Sequence, residues 1–286
     1  MKTTHSNFAV TKIFLIIFLL SNSIVHAIEQ GKRTPLNYTI ILDLSDRVMQ
    51  DHQLEKDMLL IEEMFKVFET QARRGLILTS KDRFSVKIIP QNGSPLNVNY
   101  YENKLQIYLD EVAVKDKNTV ISNFASTLPS TLKELLKASK YGETNRDYFG
   151  VDIWSYLLNI GNSFEKIGYN NVALIITDGY FDFEKKDHVL KAENRFTSTQ
   201  FIKKLKGIDW ASIANEKDYG LIPITLSSHV NWIVSGIESK NSLDILQTKK
   251  ITYIWEKWLK ESGATDYHFI LNSSARQMSS QLLEQL

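Results

Sequence analysis

Apolar residues recur along this chain with two alternating periods. Residues 36–42 (LNYTIIL) form a β-branched, nearly continuous apolar run that ends in polar residues, which predicts a buried strand. From residue 51 to about 74 the period changes. Leu54, Met58, Ile61, Phe65 and Phe68 recur at three- and four-residue steps, the spacing of an amphipathic helix. Residues 84–89 alternate and predict an edge or half-buried strand. Residues 100–111, 120–139 and 151–167 read as helices, the last with Ile153, Leu157, Ile160 and Phe164 on one face. The cleanest strand is 171–177 (NVALIIT), which runs straight into Asp178-Gly179, as a central strand covered on both faces does. Residues 181–196 are polar and read as a surface excursion, 197–206 as a helix, and 221–226 and 230–234 as strands. An amphipathic helix over 243–262 carries Trp255 and Trp258 on its apolar face, followed by a strand at 267–271 and a terminal helix at 275–286.

Strands that alternate with helices predict a three-layer α/β fold, with a mostly parallel central sheet and helices on both faces. Such sheets bind ligands beyond the carboxyl ends of their strands. Two places then matter, the segment after Leu42 and the segment after Thr177.

The start of the chain adds a compartment. Lys2 and Lys12 precede an apolar run at 13–20 (IFLIIFLL), and Val25-His26-Ala27 supplies small residues at the exit. These are the three parts of a secretory signal over 1–27, which leaves a domain over 28–286 that is exported, periplasmic or secreted. The apolar run is short for a bilayer span, so contact with a membrane is expected only if the segment stays uncleaved. A formal net charge of +1 provides no field to gather nucleic acid, and the absence of cysteine excludes disulfides and thiolate chemistry. The six histidines are scattered without metal-type spacing, and no nucleophile elbow, phosphate loop or HExxH is present. No catalytic residue is assigned.

Acidic residues gather at the two strand ends. Asp43-Leu44-Ser45-Asp46-Arg47 follows the first strand, Thr177-Asp178-Gly179 closes the central one, and Gly150-Val151-Asp152-Ile153-Trp154 opens a helix between them. A buried strand ending in Asp-x-Ser, a long helix, a glycine turn opening a helix and a strand ending in Thr-Asp-Gly resemble, in this order, a von Willebrand factor type A domain over roughly residues 37–271. That family carries a metal-ion-dependent adhesion site built on Asp-x-Ser-x-Ser, a distant Thr and a distant Asp. The resemblance implies Asp43, Ser45 and Asp178 as ligands, with Asp152 beside them, and implies partner binding rather than catalysis. This chain departs from the pattern twice: Arg47 stands at the second Ser, and Val151 stands at the Thr unless Thr144 or Asp147 takes that role.

Two readings of the cluster stay open. Hard oxygen ligands suit Mg²⁺, Ca²⁺ or Mn²⁺, and a divalent ion would complete its shell with a carboxylate from another protein. Alternatively Arg47 is a built-in counter-charge and the site is a metal-free ion-pair network. In either case Asp46, Arg47 and Trp154 are the expected partner-contacting residues, although an Asp at a strand end can simply cap a turn and Trp154 can pack in the core. The function read from this is a protein-binding module for adhesion or assembly. The alternatives are a metal-dependent hydrolase built on the same acids and a structural subunit of an envelope assembly with a dead metal site.

Overall fold

A computed structural model describes residues 33–286 apart from 75–76, 90, 92, 145–146, 149, 183–189 and 242–243. The signal segment predicted at 1–27 lies outside the described residues. The first strand, β1 (Leu36–Asp43), is buried along its whole length, as its β-branched run requires. It is followed by β2 (Arg83–Ile89), β3 (Gln106–Tyr108), β4 (Asn170–Ile176), the two-residue strands β5 (Lys191–Ala192), β6 (Arg195–Phe196) and β7 (Gly220–Leu221), then β8 (Val230–Ile237) and β9 (Asp266–Leu271). Six of them form one sheet in the order β3-β2-β1-β4-β8-β9, parallel throughout except for the β2–β3 pair. The other three form a small separate sheet.

The helices are α1 (Gln53–Arg74), α2 (Val98–Lys104), α3 (Lys117–Ser139), α4 (Ile153–Ile160), α5 (Trp210–Glu216), α6 (Gln247–Glu261) and α7 (Ala275–Leu283). Alternation along the strands divides the core in two. Tyr38, Ile40 and Leu42 of β1 and Phe84 and Val86 of β2 pack under α1, α3 and α7. Ile41 of β1, Ile175 of β4 and Val234 of β8 face the opposite layer, with Trp154 and Leu157 of α4 and Ile251, Trp255 and Trp258 of α6. The first layer is tied together by Phe65, Phe68, Phe84 and Phe124, whose ring centroids lie 5.0–5.9 Å apart. The three-layer α/β expectation holds. No helix among the described residues is long and apolar enough to cross a membrane.

Several elements differ from their sequence reading. The helix expected over 100–111 stops at Lys104, and Gln106–Tyr108 pairs antiparallel with β2. This short edge strand makes β2 an interior strand. The helix expected over 151–167 is α4 followed by a tight 3₁₀ turn at Gly161–Phe164. The segment 197–206 is 3₁₀ rather than α over Thr199–Lys204. The strand expected over 221–226 shrinks to β7. Phe181, expected on a surface excursion, is buried with its ring 4.5 Å from that of Trp255 and 5.2 Å from that of Trp258.

Candidate functional site

From β1 the chain moves outward to β2 and β3, then returns to place β4 on the other side of β1. The strand order therefore reverses between β1 and β4, and the crevice at the carboxyl ends of these two strands is where such sheets bind ligands. Leu42 is in register with Ile176, so Asp43 and Thr177, each the next residue along, are neighbours at the rim. The Thr177 hydroxyl donates to Asp43 Oδ2 at 2.7 Å, and the Ser45 backbone N–H donates to Asp43 Oδ1 at 2.8 Å. Both oxygens of this buried carboxylate thus have donors, yet the loss of water and the nearby Asp178 charge still hold the carboxyl above its ordinary value of 3.8.

Arg47 lies within this rim. It follows Asp43 through a 3₁₀ turn at Asp46–Met49, which carries the guanidinium back toward the strand ends, and the residue is only 1% exposed. Its Nη1 donates to the Asp43 carbonyl at 3.2 Å and to Asp57 Oδ2 at 2.6 Å, and its Nη2 donates to Asp57 Oδ1 at 3.0 Å. The pairing with Asp57 is bidentate and fully buried, and it holds the guanidinium charged against the cost of burial. Gln53 Nε2 donates to Asp57 Oδ1 at 2.8 Å and orients that carboxylate. The Arg47 Nε is buried without a hydrogen-bond partner among the described residues. Gly236 of β8 makes room for this arrangement. Its φ is +100°, and a Cβ there would lie 2.9 Å from the Thr177 carbonyl and 3.5 Å from Arg47 Nη2.

A second cation enters from the loop after β8. Lys240 Nζ lies 2.9 Å from Asp178 Oδ2 and 3.1 Å from Asp46 Oδ1. The two acids hold its ammonium well above the usual lysine range. The Tyr180 hydroxyl accepts the Lys240 backbone N–H at 3.0 Å, and the Tyr180 ring lies 5.1 Å from the ammonium. Lys240 is therefore fixed by its backbone, its charge and an aromatic face.

The remaining sequence-predicted residues fall in different surroundings. Ser45 is buried at the start of the 3₁₀ turn. Asp152 is the N-cap of α4: Oδ1 accepts the Ser155 N–H at 2.9 Å and Oδ2 accepts the Ser155 hydroxyl at 2.6 Å. Val151 is buried and bridges to Gln91. Asp147 Oδ2 accepts the Glu143 and Thr144 N–H groups and the Thr144 hydroxyl in an exposed local turn. Trp154 is 7% exposed in the second core layer, with its Nε1 donating to the Ile222 carbonyl at 2.8 Å.

A hard divalent cation needs about six oxygen ligands. The residues present do not fit one. The Asp43 oxygens are occupied by donors, Asp178 Oδ2 and Asp46 face an ammonium, and Asp152 caps a helix. Among the described residues no three acidic or histidine side chains converge closely enough to enclose a metal ion.

Sequence reasoning missed Asp57 and Lys240. Asp57 carried a signal, because it stands three residues after Leu54 and four before Ile61 and so puts a carboxylate on the apolar stripe of α1. Lys240 would have emerged from applying the strand-end rule to β8 as well as to β1 and β4.

No protein-family model and no curated protein matches this chain. Among solved structures, the pilus adhesin SpaC from Lactobacillus rhamnosus GG, in an open conformation, matches with 11% identity and a TM-score of 0.36 over 90% of this chain and 30% of the adhesin chain. The chain thus aligns to less than a third of that protein's length.

Proposed function

We propose that this protein is an exported, von Willebrand factor A-like binding module whose strand-end face engages another protein, in adhesion or assembly, without a divalent ion. The observation that carries this reading is the pair of cations at the rim. Arg47 stands at the second serine position of the family pattern and is held by Asp57. Lys240 spans Asp178 and Asp46 at 2.9 and 3.1 Å. Together they supply the positive charge that a bound ion would otherwise bring to clustered carboxylates. Arg47 is buried and serves the interior. Lys240 is about one-third exposed, so its ammonium, with the Asp46 carboxylate beside it, is the part of the site a partner can reach. A partner carboxylate meeting Lys240 takes the place that the completing ligand of a metal would have. Export rests on the leader-like residues 1–27.

The test is capture of envelope proteins from the native host by the purified chain, with and without EDTA, for wild type and Lys240→Glu. The reading expects the same partner to be retained in EDTA and lost on charge reversal at Lys240, with folding intact by circular dichroism. Loss of capture in EDTA, or undiminished capture by Lys240→Glu, contradicts it.

A further inference from the structure

The lower half of the β1–β2 sheet face is built unlike the rest of the core. Ile41 and Ile89 at its upper end are apolar and covered, but Asn37 and Thr39 on β1 and Arg83, Ser85 and Lys87 on β2 occupy the same face below them. The eight-residue α4 is too short to cover these positions. A groove of about 600 Å³ remains, bounded on one side by α2 and β3 and on the other by Tyr156, Ile160 and the turn leading to Lys166. That volume lies within the range of small-molecule sites, roughly 300–1,000 Å³.

The chemistry of the lining selects the ligand. Every cation on it is already paired with a carboxylate, and Glu165 is held by hydrogen bonds. Arg83 donates to Asp110 and Glu111 at 2.8 Å and stacks 3.6 Å from the Tyr108 ring centroid. Lys87 meets Glu102 at 3.2 Å, Lys166 meets Asp110 at 3.3 Å, and Glu165 accepts from Ser227 at 2.6 Å and pairs with His229 at 3.0 Å. The polar groups that make no hydrogen bond to any described residue are uncharged: the hydroxyls of Thr39, Ser85 and Tyr156 and the amide of Asn99. Thr39 and Ser85 are only 5% and 4% exposed, yet neither hydroxyl is among the fully buried polar atoms without a partner, so both are reached from the groove. An anionic ligand would find no free cation among the described residues here. An apolar ligand would strip water from these hydroxyls without replacing its hydrogen bonds, at a cost that binding does not return. A ligand rich in neutral hydroxyls both donates to and accepts from such groups, and the ring of Tyr156 offers an apolar wall to its C–H face.

We infer that this groove is a binding site for a neutral oligosaccharide of a few sugar units. It lies away from the strand-end acids and does not depend on their role.

Saturation-transfer NMR and calorimetry on the purified full chain test this, with maltotriose, cellotriose and chitotriose as neutral probes and a glucuronic-acid oligomer as the anionic comparator. The inference expects saturation transfer and a heat of binding for at least one neutral probe. It also expects affinity to fall five- to tenfold or more in Ser85→Ala and in Tyr156→Phe, both of which leave thermal stability close to wild type. Absence of transfer from all three neutral probes at millimolar concentration overturns it. So does tighter binding of the anionic oligomer, or binding that both variants leave unchanged.

Discussion

Removing the Asp57 carboxylate isolates a charge. In the folded protein Arg47 is 1% and Asp57 0% exposed, and two hydrogen bonds of 2.6 and 3.0 Å join them. Asp57→Ala leaves a guanidinium in the core with one long bond to the Asp43 carbonyl, no carboxylate hydrogen-bonded to it, and only the longer-range charges of Asp43 and Asp178. Breaking one side of a buried pair costs about 3–5 kcal/mol, because the survivor stays desolvated without compensation. That is a large share of a typical domain stability of about 5–15 kcal/mol. At a urea slope of about 3 kcal/mol per M, the midpoint falls by roughly 1–1.7 M. For a domain of this size the melting temperature falls by roughly 6–20 °C. The double change Arg47→Met with Asp57→Leu removes both charges together and is expected to recover part of the loss, since replacing a buried pair by packed apolar groups is often neutral while Asp43 and Asp178 lose the nearby Arg47 charge. Equilibrium urea unfolding of wild type, single and double variants gives the comparison. A single variant that loses less than about 1 kcal/mol, or a double variant no better than the single, refutes the claim that this pair is buried and isolated from solvent.

Three further outcomes follow from the same geometry. Burial and the neighbouring Asp178 raise the Asp43 carboxyl above 3.8. A raised acid holds more protons folded than unfolded, so its stabilisation is complete below the unfolded value and is lost as pH climbs through the folded one. Asp43→Asn should therefore be more costly at pH 4 than at pH 7 in urea midpoints, and a cost that grows with pH contradicts the assignment. Gly236→Ala meets both a φ of +100° and a carbonyl 2.9 Å from the new Cβ, so a loss of about 1–3 kcal/mol in thermal unfolding is expected. Asp152→Ala removes the cap of α4 and should cost about 1 kcal/mol while leaving any response to added divalent ions unchanged; an altered ion response would reinstate Asp152 as a ligand.

The sequence reached the layers, the central strands and the meeting of Asp43 with Thr177-Asp178, because long apolar runs and strand-end acids depend on local pattern and on the parallel-sheet rule. It missed β3, whose three residues follow a helix without a break in composition and are strand only by pairing with β2. Asp57 was hidden because a helix pattern is read from its apolar members, and a carboxylate on the stripe has meaning only beside its arginine. Arg47 departs from a ligand position and offers a counter-charge, and the sequence alone does not say how it is held. Its partner Asp57, ten residues further along the chain in α1, decides how the guanidinium is held. The groove under α4 could not be anticipated at all, since it arises from a helix ending early over strands whose alternation looks ordinary.

The neutralisation of the strand-end acids by Arg47 and Lys240 is tested by isothermal titration of Mg²⁺, Ca²⁺ and Mn²⁺ into wild type and Lys240→Ala. The structure predicts no saturable heat at millimolar ion for wild type. A one-to-one binding isotherm for wild type that disappears in Asp43→Ala would contradict it.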